Sequence, residues 1–143
     1  MKLKAVMDTN VLISGILWRG IPFELLRWAE KGYLIIYTSL EILAEVNRVL
    51  NYSKFQKYID SEESSPMELF EKIASLCTII YPDQEVKNIC SDKDDQIFLS
   101  CALAAKAGAL ISGDKHLLNI KQYKSVRILT TREFYIENVR KIS

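Results

Sequence analysis

No stretch of this 143-residue chain approaches the roughly 18 consecutive apolar residues that a membrane-spanning helix needs. Lys2 and Lys4 open the chain, but it passes at once into a strand and an acidic motif, which is not the layout of a signal peptide. No membrane partner is therefore expected. Neither sign of charge is in excess: nineteen basic residues against eighteen acidic ones leave +1. That balance neither demands nor excludes a nucleic-acid partner, because the distribution of charge decides. Cysteine is scarce. Cys77, Cys90 and Cys101 are odd in number and lack C-x-x-C spacing, which argues against a zinc site or a disulfide framework and fits a reducing cytoplasm. Histidine occurs once, at His116, without a partner triad, and Ser14 has no G-x-S-x-G context, so serine hydrolysis has no support. No G-x-G-x-x-G and no P-loop suggest a nucleotide cofactor. Repeats and low-complexity segments are absent.

What is present is the composition of one ordinary globular domain, 49% hydrophobic and 26% charged, spanning 1–143. The chain is organised around its first strand, Leu3 to Met7, an apolar run of the kind buried on both faces. It ends abruptly in Asp8-Thr9-Asn10, and a short helix fits Asn10 to Leu17. Pro22 suits the first turn of a helix over Phe23–Glu30, with Gly32 closing it. Tyr33 to Tyr37 reads as a second strand, parallel to the first through a right-handed crossover. Thr38 and Glu41 read as a capping box for the next helix. Leu43, Val46 and Leu50 form its apolar stripe, with Glu41, Glu45 and Arg48 opposite.

Residues 51–65 are the most polar part of the chain, and Pro66 reopens a helix to about Leu76. Thr78 to Tyr81 is a short third strand, and Ser91-Asp92-Lys93-Asp94-Asp95 leads into a helix apolar almost all round, which predicts burial. Ala109 to Ser112 is a fourth strand, ending at Gly113-Asp114. Val126 to Thr130 is a fifth, with a closing helix from Thr131. The reading is a three-layer α/β/α domain with a parallel sheet of about five strands.

Open α/β sheets bind ligands beyond the carboxyl ends of their strands, near the switch in strand order. Asp8 and Asp114 both stand at such ends, Asp92, Asp94 and Asp95 precede the buried helix, and Glu45 lies a turn or two into the helix after strand two. Two carboxylates about 4 Å apart repel by about 4 kcal/mol at an effective dielectric of 20. Several together imply raised pKa values or a bound cation. Carboxylates without His or Cys suit Mg²⁺ or Mn²⁺, and phosphodiester hydrolysis is the chemistry such a site performs. Each acid also has a bland reading. Asp8 can cap a helix, Asp92, Asp94 and Asp95 can favour a helix dipole, Glu45 can be solvated, and Asp114 can be a turn residue. Lys54, Lys57 and Tyr58 can contact RNA or simply lie in a solvated loop.

The chain resembles the PIN-domain family, in particular its bacterial branch of toxins from toxin–antitoxin pairs. The resemblance rests on Val6-Met7-Asp8-Thr9-Asn10-Val11-Leu12, on Thr38 to Leu50 with Glu45 at the family's second acid, on Ser53-Lys54-Phe55, on Asp92 to Leu99 running into Ala102, and on Leu110 to Leu118 around Ser112-Gly113-Asp114. It implies an acidic quartet of Asp8, Glu45, Asp95 and Asp114 binding Mg²⁺ or Mn²⁺ for RNA cleavage. Asp8 and Asp95 would hold the principal ion. Asn10 and Ser112 would support Asp8 and the phosphate, Asp92 would assist, and Asp94 remains the alternative to Asp95. A cognate antitoxin and a homodimer are further implications. Two other readings stay open: a non-catalytic RNA-binding or protein-interaction domain, and a receiver-like phosphoacceptor domain. The receiver pattern wants an acid at the end of strand three, where this chain has Tyr81-Pro82.

Overall fold

The computed structural model describes residues 2–52, 64–82 and 93–142, with side chains from Asp95 onward in the last segment. Lys54, Lys57, Tyr58, Cys90 and Asp92 lie outside the described residues, as does the side chain of Asp94. The central strand is β1 (Leu3–Met7), in which Ala5, Val6 and Met7 are fully buried. It is flanked by β2 (Leu34–Thr38) and β4 (Ala109–Ile111), both parallel to it. The full order is β3-β2-β1-β4-β6-β5, with β3 at Cys77–Ile79, β5 at Gln122–Tyr123 and β6 at Val126–Leu129. Every pairing is parallel except the β5–β6 hairpin.

The chain moves one way from β1 to β3 and then crosses back to β4 on the other side of β1. With right-handed crossovers that reversal puts the connecting helices on opposite faces. Helices α1 (Thr9–Leu17), α2 (Ile21–Glu30), α3 (Leu40–Leu50) and α4 (Pro66–Leu76) precede the reversal. Helix α5 (Lys93–Ala105) follows it and packs across β1, β2, β4 and β6, burying Phe98, Leu99, Cys101 and Ala102. After β4 comes a single short helix, α6 (Lys115–Ile120), and α7 (Thr131–Ile142) closes the chain against α2. There Trp28 stacks on Tyr135 at 5.3 Å. No helix among the described residues is long and apolar enough to cross a membrane.

Three local expectations shift. The cap of α3 is Ser39, whose hydroxyl accepts from the Ile42 amide at 3.3 Å, not Thr38. Thr38 is the last residue of β2, and its carbonyl accepts from the Ile80 amide at 2.8 Å. Strand pairing therefore takes Thr38, and the Glu41 capping box is displaced. The third strand begins at Cys77 rather than Thr78 and ends at Ile79. A sixth strand, β5, exists because Gln122 and Tyr123 pair back onto Arg127 and Val126; two residues of mixed polarity carry no strand period of their own. Gly32, at φ +86°, does close α2: its amide bonds Ala29 and the Tyr33 amide bonds Trp28, as in a Schellman motif.

Candidate active site

The switch in strand order falls between β1 and β4, and the residues just past those two strands meet there. Asp8 leaves β1 in extended conformation and caps α1, its Oδ1 accepting from the Val11 amide at 2.8 Å. Its other oxygen, Oδ2, accepts from the Ser112 hydroxyl at 2.5 Å. Ser112 Oγ in turn accepts from the Asp114 amide at 2.9 Å. The Gly113 amide also donates to Asp8. Asp114 caps α6, its Oδ1 accepting from the amides of His116 at 2.7 Å and Leu117 at 3.4 Å. The capping reading of Asp8 is thus correct, Asp114, read as a turn residue, is a cap as well, and both acids nonetheless stand at one edge.

Asp8 is 6% exposed. Burial pushes its pKa above the ordinary carboxylate value, and repulsion from Asp114 adds to the rise. The bonds from Ser112, Val11 and Gly113 oppose the shift without cancelling it. A buried carboxylate of this kind accommodates a cation that would relieve its desolvation.

Asp95 lies in the first turn of α5 and is buried to the same extent as Asp8. Glu45 sits in α3 with its side chain 18% exposed, 3.8 Å from Arg48 Nη2. Asn10 is exposed, and no hydrogen bond joins it to Asp8 among the described residues. Ser112 is fully buried and bound to Asp8 directly. The hydroxyls of Thr9 and of Thr38, the latter expected as a helix cap, are buried at this edge without hydrogen-bond partners. Thr38 is buried at the end of β2 and Thr9 at the start of α1, and no local signal announces either as part of the site. The Gly113 amide is a further unannounced contributor, since a backbone donor has no side-chain signature.

Among the described residues, no group of three or more His, Cys, Asp or Glu side chains is close enough together to hold a metal ion. The structure joins Asp8 to Asp114 through Ser112; it does not bring Glu45 and Asp95 into one cluster with them. The donors are all oxygens, carboxylate and hydroxyl, which suits a hard divalent cation and not zinc. The described thiols offer no alternative. Burial pushes Cys77 and Cys101 up to about 12, so both stay protonated at neutral pH and are neither nucleophiles nor ready ligands.

A parallel sheet with a buried aspartate at its switch point defines the class as an α/β domain with an acidic carboxyl edge. The family follows from comparison. Residues 4–116 match the PIN domain family, a span that includes Asp8, Glu45, Asp95 and Asp114. This chain belongs to that family, whose members are generally nucleases. It is 31% identical over 151 aligned positions to the uncharacterised protein MJ1680 of Methanocaldococcus jannaschii, covering 99% of this chain and 96% of that one. Among solved structures it is similar to VapBC2 from Rickettsia felis bound to a DNA fragment from their promoter (TM-score 0.58, 16% identity, 88% of this chain and 97% of that one). It is also similar to the T. brucei RRP44 PIN domain (0.52, 16%, 98% and 83%) and to FitAcB from Neisseria gonorrhoeae (0.51, 17%, 90% and 98%). At these identities the structural likeness speaks to the fold.

Proposed function

We propose that this protein is a Mg²⁺- or Mn²⁺-dependent endoribonuclease acting as the toxin of a toxin–antitoxin pair in the cytoplasm, with RNA as substrate and a cognate antitoxin as partner. The observation that carries the reading is the buried Asp8 carboxylate at the strand switch, held by Ser112 and repelled by Asp114. Membership of the PIN family supports nuclease chemistry, and the likeness to VapBC2 and FitAcB supports the toxin role.

In this reading Asp8 and Asp95 would hold the cation, and Glu45 and Asp114 would complete its surroundings directly or through water. A divalent ion held there would supply a water of lowered pKa and neutralisation of phosphate charge. The protein's own part is positioning. Val11 and Ser112 fix the two Asp8 oxygens, so the carboxylate does not rotate as charge develops. The α6 amides hold Asp114 in the same way. Glu45, steadied by Arg48, orients the attacking water and accepts its proton. Hydrolysis then adds the water oxygen to phosphorus, breaks one P–O ester bond and returns a proton to the leaving oxygen.

A non-catalytic RNA-binding or protein-interaction domain is the second reading, favoured by the capping duties of Asp8 and Asp114 and by the lack of a three-acid cluster among the described residues. One experiment separates the two. Single-stranded and structured RNAs are incubated with the native protein and with Asp8→Asn, in Mg²⁺, Mn²⁺ or EDTA. The expected result is metal-dependent cleavage that EDTA abolishes and Asp8→Asn reduces by roughly a hundredfold or more. RNA binding without cleavage in any metal, unchanged by Asp8→Asn, overturns the nuclease reading. Size-exclusion chromatography with light scattering tests the homodimer that this reading also includes.

A further inference from the structure

The two sides of the candidate site differ in the side chains they present. On the β4–β6 side, Lys115 is the first residue of α6, directly after Asp114, and Arg132 is the second residue of α7, two after Thr130. The two helices start from neighbouring strands. Ile111 pairs with Leu129, and the Ser112 amide donates to the Leu129 carbonyl at 2.9 Å, so Thr130 lies beside Ser112 at the same edge. Both cations are exposed, and neither has an ion-pair partner among the described residues.

The acids next to them in sequence are engaged by backbone amides. Asp114 accepts from the amides of α6, and Glu133 Oε1 accepts from the Thr130 amide at 2.9 Å. Arg127, by contrast, is engaged by Glu137 through two bonds of 2.9 and 2.8 Å. At the β2 and β3 ends, Leu40, Glu41, Thr78, Ile79 and Tyr81 are exposed, none of them cationic. Among the described side chains, the cation on the β2 side, Arg48, is paired with Glu45 at 3.8 Å, whereas Lys115 and Arg132 on the β4–β6 side have no such partner.

We propose that a single-stranded polynucleotide runs from Asp8 over the carboxyl ends of β4 and β6, with Lys115 and Arg132 holding the backbone phosphates next to the scissile one. The inference rests on the nuclease reading and adds the direction of the substrate path and the residues that define it. Adjacent strands stand about 4.8 Å apart, so the path from β1 to β6 spans roughly 10 Å, well within the reach of one strand of nucleic acid. Contacts of this kind position the chain without reading bases or sugars. They set a salt dependence, because each phosphate neutralised in a single strand releases about 0.7 of a counterion.

The test is fluorescence anisotropy of a labelled mixed-sequence single-stranded RNA in EDTA, so that no turnover occurs, over a NaCl series. The native protein is compared with Lys115→Ala/Arg132→Ala and with Lys2→Ala/Lys4→Ala, exposed lysines at the opposite, amino end of β1. The expected result is a Kd raised roughly tenfold at low salt for Lys115→Ala/Arg132→Ala, with the slope of log Kd against log salt reduced by about 1.4. The Lys2→Ala/Lys4→Ala control keeps the native Kd and slope. If Lys115→Ala/Arg132→Ala binds with the native slope while the native protein cleaves RNA, the path is wrong and the nuclease reading stands. An equal loss in the Lys2→Ala/Lys4→Ala control also overturns the path, because binding is then diffuse. If the native protein neither binds nor cleaves RNA, path and nuclease reading fall together.

Discussion

Asp8 serves two ends that pull against each other. As the cap of α1 it is stabilising, yet its burial disfavours the ionised form. Its folded pKa lies above the ordinary 3.8, so the folded chain keeps a proton over a pH range in which the unfolded chain has released it. Stability from this group is therefore fully present below about pH 3.8 and is lost as pH rises through the folded pKa. In EDTA at pH 7.5, Asp8→Asn should melt at a higher temperature than the native protein, and the gap should close as pH falls toward 4. Calorimetry over a pH series checks this, and a gap independent of pH would show that ionisation is not its cause. The same residue illustrates what local sequence reveals. Its capping role could be read from the residues that follow it, whereas Ser112, the partner that orients it, lies 104 positions away.

Two elements carry backbone choices with measurable consequences. Gly15 lets α1 and α2 approach closely: a Cβ there would lie 2.6 Å from Leu26 Cδ1 and 3.0 Å from the Pro22 carbonyl oxygen. Leu26 is buried, and the carbonyl is backbone, so neither yields freely. Overpacking costs about 1–3 kcal/mol and the gain in helix propensity returns about 1, so Gly15→Ala should destabilise by about 1 kcal/mol in urea unfolding. Lys106, at φ +54°, ends α5 with its amide on Leu103 and the Ala107 amide on Ala102. This left-handed position favours glycine, so Lys106→Gly should stabilise by about 0.5 kcal/mol and raise Tm by about 1–2 °C. Element identity was legible wherever a segment buried itself by its own pattern. The apolar runs of Ala5–Met7 in β1 and of β4, and the near-uniform apolarity of α5, announced burial, and β5 did not. Thr38 and Ser39 are both competent caps, and only the Ile80 bond to Thr38 decided between them.

At the scale of the whole molecule, the sheet edge joins Asp8, just past β1, to Ser112 and Asp114, just past β4. If that edge takes a divalent cation in the native state and not in the unfolded chain, Mg²⁺ or Mn²⁺ should raise Tm by an amount that grows with the logarithm of concentration above Kd. Asp8→Asn should abolish the shift. A native protein whose Tm is indifferent to both ions would argue against cation binding independently of any cleavage assay.

The sequence by itself determined the class of fold and most elements, because apolar period, capping residues and turn residues act over a few positions. It also supplied the acids, with family resemblance raising Glu45 from a solvated residue to a candidate ligand. Tertiary structure alone decided which strand ends are neighbours. The order β3-β2-β1-β4-β6-β5 sets Asp8 beside Ser112 and links it to Asp114. Tertiary structure also buries the hydroxyls of Thr9 and Thr38 and leaves Glu45 and Asp95 outside a single described cluster. Strand order arises from pairings between residues far apart in the chain, and no local period encodes those pairings.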